Sequence, residues 1–330
     1  MIANLLDAAL EARRHLFDAR HESAFRLFNG FREGCPDLVV DLYAATVILN
    51  NYADPAGRGR SVIEEAIPFL RGKLPWLHAG ILKTRNGLTA EEKRGQLLFG
   101  ERPDRKIKEH GVWYTVDLTM NRDASLYPDT RNLRKWLIEN SKGKTVLNAF
   151  AYTGSLGAAA MAGGASRVVQ LDRNRRFLNL AKDSYLLNGF PIHKEDFISG
   201  DFWVQVGRMK RAGQRFDCVI LDPPFFAATS KGVVNQEKDS ARLINKVRPL
   251  IEDGGYLAAV NNALYLSGRE YMSTLEALCA DGYLQVHELI PVPQDFIGFD
   301  KTQSGGPIPD PAPFNHPTKI AILKVKRRKH

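Results

Sequence analysis

The apolar positions of this chain keep one rhythm up to about residue 118 and another beyond it. At the start, Leu5, Leu6, Ala9, Leu10, Arg13, Leu16 and Phe17 fall near helical spacing, which predicts an amphipathic helix over residues 1–20. Over 25–51, short apolar runs at 25–28, 38–40 and 45–49 alternate with turn-rich pieces such as Asn29-Gly30 and Cys35-Pro36-Asp37, the pattern of antiparallel strands. A helix over 59–74 and strands near 79–83, 97–99 and 112–118 complete an α+β half. Beyond it, strands at 145–149, 167–171, 218–221, 255–260 and 284–290 alternate with helices at 154–163, 175–188, 239–250 and 268–280. A Pro/Gly-rich loop over 305–317 precedes a last strand at 319–325. Such alternation predicts an α/β fold with a mostly parallel sheet and helices on both faces. The expected organisation is a smaller α+β accessory domain over 1–118 that positions a substrate, then an α/β domain over 119–330.

Ligands of such sheets bind outside the carboxyl ends of the strands, and the motifs with candidate chemistry fall there. The strand at 145–149 runs into Phe150-Ala-Tyr-Thr-Gly-Ser-Leu-Gly157, where Gly154 permits close backbone approach and the following helix start offers N–H groups. Asp172 ends the next strand, eighteen residues after Gly154, placed to accept from both hydroxyls of a ribose. The first glycine of the dinucleotide fingerprint is missing, which argues against NAD. Asp201 either accepts from an adenine amine, with Phe202 or Trp203 against the ring, or caps the helix that follows. Phe216-Asp-Cys-Val-Ile-Leu-Asp-Pro-Pro-Phe-Phe226 ends a strand in an acid, two prolines that donate no N–H, and aromatic rings. That surface suits a flat, amine-bearing ring such as a nucleobase. After an adenosine-cofactor loop, it suggests methyl transfer to a base.

Composition narrows the setting. No apolar run approaches the roughly 20 residues that span a bilayer, and the N-terminus has no signal-peptide pattern. Cys35, Cys218 and Cys279 are scattered singly, and the eight histidines show no metal-ligand spacing, so a reducing cytoplasm and no metal are expected. The net charge of +9 favours an anionic partner, RNA above others. Lys324-Val-Lys-Arg-Arg-Lys-His330 is either a phosphate-contacting tail or a solvated end. The oligomeric state is open, a homodimer included.

The stretches Leu147-Asn-Ala-Phe-Ala-Tyr-Thr-Gly154, Val169-Gln-Leu-Asp172, Leu187-Asn-Gly189 and Phe216 to Phe225 resemble class I S-adenosylmethionine-dependent methyltransferases. More closely they resemble the bacterial 23S rRNA methyltransferases of the large-subunit methyltransferase I group. Arg26-Leu-Phe-Asn-Gly-Phe-Arg-Glu-Gly-Cys-Pro-Asp-Leu-Val-Val-Asp41 is similar to that group's accessory-domain segment, and Ser125-Leu-Tyr-Pro-Asp-Thr-Arg131 to a segment beside its cofactor. The resemblance implies a Rossmann-like domain with a seven-stranded, mostly parallel sheet, and S-adenosylmethionine as cofactor. It implies that Asn148, Phe150, Tyr152, Thr153 and Gly154 lie beside the cofactor's methionine half. Asp172 would hold the ribose and Asp201 with Phe202 the adenine. Tyr127, Asp129 and Arg131 would close the pocket, with Arg131 as a surface charge at a helix start the other reading. Asp222, Pro223, Pro224 and Phe225 would form the catalytic turn, Asp222 also facing the cofactor, and Phe225, Phe226, Asn261 and Asn262 would meet the substrate. The group's N-terminal PUA RNA-binding domain is expected to be absent, so RNA affinity is expected from the accessory domain, the basic surface or a partner.

Cytosine-C5 members need a cysteine nucleophile, and the expected position after the strand at 255–260 carries Asn261-Asn262. The asparagine pair resembles the guanine-N7 branch. For an exocyclic amine, Asp222 and the Pro223 carbonyl would accept N–H bonds while Phe225 stacks; for a ring nitrogen the in-plane lone pair attacks and the site only orients it. Within folded RNA the base would be flipped out. Two other readings stay open: a methyltransferase for a protein or small molecule, and a catalytically inactive RNA-binding or assembly factor.

Overall fold

A computed structural model describes residues 1–229, 232–306 and 309–327, with backbone only for the strand residues between 226 and 234. The side chain of Phe226 and the tail end 328–330 lie outside the described residues. The chain divides into two compact units, Met1–Asp129 with Pro293–Gly306, and Thr130–Val292 with Pro307–His330.

In the first unit, α1 (Ile2–Ala12) precedes β1 (Ala24–Asn29), α2 (Gly30–Glu33), β2 (Leu38–Tyr43), β3 (Thr46–Asn51), α3 (Arg60–Lys73), β4 (Ala79–Thr84), α4 (Ala90–Arg94) and β5 (Gln96–Phe99). The five strands form one sheet in chain order, antiparallel except for the β3–β4 pair. Leu6 and Ala9 of α1 and Ala66 and Leu70 of α3 bury their apolar stripes with Phe25, Leu27, Val40 and Leu49 of the strands. A ribbon of β6 (Lys106–Glu109) and β7 (Val112–Thr115) follows; the expected strand over 112–118 ends at Thr115, and its partner was not legible in the sequence.

The division falls at 129 rather than 118 because the intervening residues are tied back to this unit. Tyr43 Oη donates to the Leu126 carbonyl at 2.8 Å and Lys83 Nζ to that of Asn121 at 2.8 Å. The segment 293–306, expected in the second domain, also sides with the first. Asp295 Oδ2 accepts from the Arg26 amide at 2.9 Å, the Phe296 carbonyl accepts from Asn29 Nδ2 at 2.6 Å, and the Arg26 guanidinium lies 4.2 Å over the Phe296 ring.

The second unit runs α5 (Arg131–Asn140), β8 (Thr145–Ala149), α6 (Ser155–Ala162), β9 (Arg167–Asp172), α7 (Arg175–Leu187), β10 (Phe197–Ser199), α8 (Phe202–Arg211) and β11 (Phe216–Leu221). A hairpin of β12 (Phe226–Thr229) and β13 (Gly232–Asn235) leads to α9 (Gln236–Val247), β14 (Ile251–Asn261), α10 (Gly268–Cys279), β15 (Leu284–Leu289) and β16 (Lys319–Val325). The seven-stranded sheet has the order β10-β9-β8-β11-β14-β16-β15. The first five strands are parallel, and β16 runs antiparallel to both neighbours. This is the Rossmann-like, mostly parallel sheet expected. Strand β11, at the middle of the sheet, carries an unbroken and fully buried apolar run, Cys218–Leu221, as expected of a parallel strand covered on both faces.

Candidate active site at the strand ends

Strand register alone brings the motifs together. Ala149 pairs with Leu171 on one side and Leu221 on the other, Asp172 pairs with Ser199, and Leu221 pairs with Ala259. The residues that follow, from Phe150, Asp172, Gly200 and Asp222, therefore leave the sheet along one edge. Strand β14 continues two residues further, to Asn261. The strand order reverses between β8 and β11, the point at which such sheets open a crevice.

The loop after β8 is strained. Phe150 and Tyr152 hold φ of 59° and 50°, left-handed values that L residues adopt at a cost of roughly 1–2 kcal/mol. The loop is held by the Ala151 amide donating to the Leu171 carbonyl at 2.9 Å and the Tyr152 amide donating to Asp172 Oδ2 at 2.8 Å. Gly154 has φ 74°, and a Cβ there would meet the Ala181 Cβ at 2.4 Å. One on Gly157 would meet the Gln170 amide nitrogen at 2.0 Å. Both glycines are thus demanded by the packing of α6 against α7 and Gln170, before any ligand is considered. Thr153 is buried beside them. Asn148 donates to Gln170 Oε1 at 2.8 Å, and its own Oδ1 is buried with no hydrogen-bond partner among the described residues. A buried acceptor of that kind calls for a donor.

Asp172 is half-buried and accepts from the backbone amides of Tyr152, Asn174 and Arg173. No cation neutralises it among the described residues, and burial raises its carboxyl above the usual carboxylate value. Asp201 caps α8, its Oδ1 accepting from the Val204 amide at 3.1 Å. The capping reading therefore holds as geometry. Phe202 is buried and stacks on Phe150 (centroids 4.6 Å apart, 25° between planes), and Trp203 is buried under the Arg242 guanidinium at 4.4 Å. Both rings expected against an adenine pack within the protein.

At the end of β11, Asp222 and Phe225 are half-buried, Pro223 is buried and Pro224 exposed. The Pro223 carbonyl accepts a short hydrogen bond from Gln236 Nε2 and a longer one, 3.5 Å, from Asn262 Nδ2. Gln236 Oε1 in turn accepts from the Asn262 amide at 2.6 Å. Asn261, expected at the substrate, is fully buried, its Nδ2 donating to the Gln236 carbonyl at 3.1 Å and to Ser240 Oγ at 2.9 Å; Asn262 is exposed. The pair therefore splits, one asparagine inward and one outward. Sequence reasoning missed Gln236, because a glutamine at a helix start looks like any solvated residue. The available signal was the Asn235 cap, which fixes that helix start directly after the hairpin.

Tyr127 and Asp129 belong to the first unit, where Tyr127 is exposed and donates to Asp123 Oδ2 at 3.3 Å; Arg131 opens α5 in the second. Cys218 is buried inside β11, its thiol pushed up to about 12 by burial, and Cys279 lies in α10.

The donor set can be weighed against an adenosyl sulfonium. Asp172 and the buried Asn148 Oδ1 are acceptors, and Asp201 and Asp222 follow the strands on either side of them. Acceptors and negative charge complement a ligand with ribose hydroxyls, an adenine amine, an ammonium and a sulfonium, so the residues fit. When bound, that cofactor supplies a methyl group already activated for transfer. Asp172 and the 150–154 loop are the residues that would hold and orient it.

Comparison with known proteins agrees with this geometry. A family model described as S-adenosylmethionine-dependent methyltransferase matches residues 92–303. YwbD of Bacillus subtilis, provisionally named a ribosomal RNA large subunit methyltransferase, is 27% identical over 299 residues, covering 88% of this chain and 74% of that protein. Ribosomal RNA large subunit methyltransferase I of Aeromonas salmonicida is 28% identical over 281 residues, covering 84% and 70%. Among solved structures, SMU.776, provisionally described as a methyltransferase and complexed with SAH, shares the fold with a TM-score of 0.85 at 23% identity, covering 98% of this chain and 80% of that one. With the match spanning well over half its length, the chain belongs to the S-adenosylmethionine-dependent methyltransferases.

Proposed function

We propose that this enzyme methylates a base nitrogen in RNA, on a guanine rather than a cytosine, and that the RNA is 23S rRNA. The relatives named above act, by name, on the large ribosomal subunit RNA, and a net charge of +9 suits a polyanionic substrate. The observation that carries the choice of atom is the end of β14. Where carbon methylation needs a thiolate, Asn262 stands exposed beside the Asp-Pro-Pro-Phe turn, and the cysteine in the neighbouring strand is buried with its thiol held protonated. In this reading Phe225 stacks on the flipped base and Asp222 orients its edge. The Pro223 carbonyl already receives Gln236 and Asn262, so Asp222 is the acceptor the turn contributes, and a ring nitrogen, whose lone pair attacks directly, needs no second one.

Mass spectrometry of nucleosides from large-subunit RNA of cells with and without the gene tests it. An N-methylated guanosine should disappear with the gene. Loss of 5-methylcytidine alone would reject the choice of atom, and an unchanged nucleoside profile would reject the RNA substrate.

A further inference from the structure

We propose that Gln236 is a positioning residue for methyl transfer, its buried amide fastening the Asp-Pro-Pro-Phe turn to the end of β14 and so setting where the acceptor base lies. The inference rests on the reading of that turn as the acceptor seat. Gln236 opens α9 and is 1% exposed. Its side chain faces two groups of opposite polarity. The Pro223 carbonyl can only accept and the Asn262 amide can only donate, so the NH2 end must face Pro223 and the oxygen Asn262. The main chain of Gln236 repeats the arrangement. Its N–H donates to the Phe225 carbonyl at 3.2 Å and its carbonyl accepts from Asn261 Nδ2 at 3.1 Å. One residue thus bonds to both the turn and the end of β14.

The turn needs such an outside tie. Pro223 and Pro224 have no N–H, so two successive residues cannot anchor themselves through their own donors. Fixed proline φ angles make the turn stiff as a body but do not hold that body against β14. Gln236 supplies the hold at the first proline, one residue from Asp222 and two from Phe225. A misplacement of about 1 Å at such a seat costs roughly 10²-fold in rate. A glutamine kept merely to satisfy buried groups would tolerate any change that leaves the fold intact; a positioning amide requires donor and acceptor in this order.

Gln236→Glu reverses one end at nearly constant volume. As a carboxylate it would set an oxygen against the Pro223 carbonyl; once protonated, its hydroxyl donates there again, and burial raises the pH at which that happens. Tritiated methyl transfer from S-adenosylmethionine to large-subunit RNA from cells lacking the gene should fall roughly 10²-fold for this variant at pH 8. It should recover steadily as the pH is lowered, whereas Gln236→Ala should stay low throughout, and both should bind the cofactor within about threefold of wild type. Wild-type turnover by Gln236→Glu at pH 8, or a loss with the wild-type pH profile, overturns the proposal. If the wild-type enzyme leaves this RNA unmethylated, the substrate reading fails, and hydrogen exchange at the Asn262 amide still decides the tie. Faster exchange in Gln236→Ala with protection kept in Gln236→Glu, whose carboxylate still accepts there, supports it; unchanged exchange in Gln236→Ala rejects it.

Discussion

The two units treat buried charge in opposite ways. In the first, Arg13 and Glu33 are both fully buried and meet through paired contacts of 2.9 Å. The remaining capacity of Glu33 goes to the Asn29 amide and the Thr302 hydroxyl, and Arg13 also donates to the carbonyls of Ala9, Arg26 and Asp295. That network is closed on itself. In the second unit, Asp172 is half-buried, accepts only from backbone amides, and has no cation beside it among the described residues. Its burial is uncompensated by any opposite charge among the described residues. The difference separates structural charge from functional charge. Where the protein's own bonds use every donor and acceptor, the group holds the fold; where a buried carboxylate keeps capacity, a ligand is expected to complete it.

The largest effect should come from opening the closed network. Arg13→Met leaves Glu33 buried without its cation and should cost about 3–5 kcal/mol in denaturant unfolding, with Arg13→Met/Glu33→Leu recovering most of it. A loss under about 1 kcal/mol for the single variant would mean the pair is not closed in solution.

A smaller effect tests what Gly154 is for. Gly154→Ala forces a methyl onto Ala181 at a left-handed φ and should destabilise by roughly 1–3 kcal/mol, and Ala181→Gly added to it should return only the part due to the clash. If the double variant regains stability but not cofactor affinity, close ligand approach at Gly154 matters as well as packing.

The smallest effect is a pH dependence. The folded carboxyl of Asp172 is raised, so its charged form, the one that would accept from ribose hydroxyls in the proposed site, is lost at higher pH than for an ordinary carboxylate of about 4. Cofactor affinity should decline as pH falls through that raised value. Stability carries the opposite sign. The native state binds this proton more readily than the unfolded chain, so ionised Asp172 costs stability at neutral pH and returns it as pH falls through the folded value.

Much of the second unit was legible because its signals are local. Apolar runs ending at Asp172 and Asp222 mark strand ends, and parallel register then aligns them without further information. What was hidden depends on distant partners. Arg13 counted as one position in a helical stripe, yet its partner Glu33 sits twenty residues on, in another helix. The return of 293–306 to the first unit rests on Asp295 and Phe296 meeting Arg26 and Asn29, contacts that no local pattern announces. The packing role of Gly154 was hidden for the same reason, since Ala181 belongs to the next helix. Asn261 and Asn262 looked equivalent in sequence, and only the position of Gln236 and Ser240 turns one inward.

Calorimetric titration of S-adenosylmethionine into the wild-type enzyme, Asp172→Ala and Asp222→Ala tests the central claim most directly. The open carboxylate at the end of β9 should anchor the cofactor and the one at the end of β11 should serve the transfer. Asp172→Ala should therefore lose at least roughly tenfold in affinity, about 1.4 kcal/mol, while Asp222→Ala binds within about threefold of wild type and no longer transfers methyl. Wild-type affinity in Asp172→Ala, or collapse of binding in Asp222→Ala, would contradict this division.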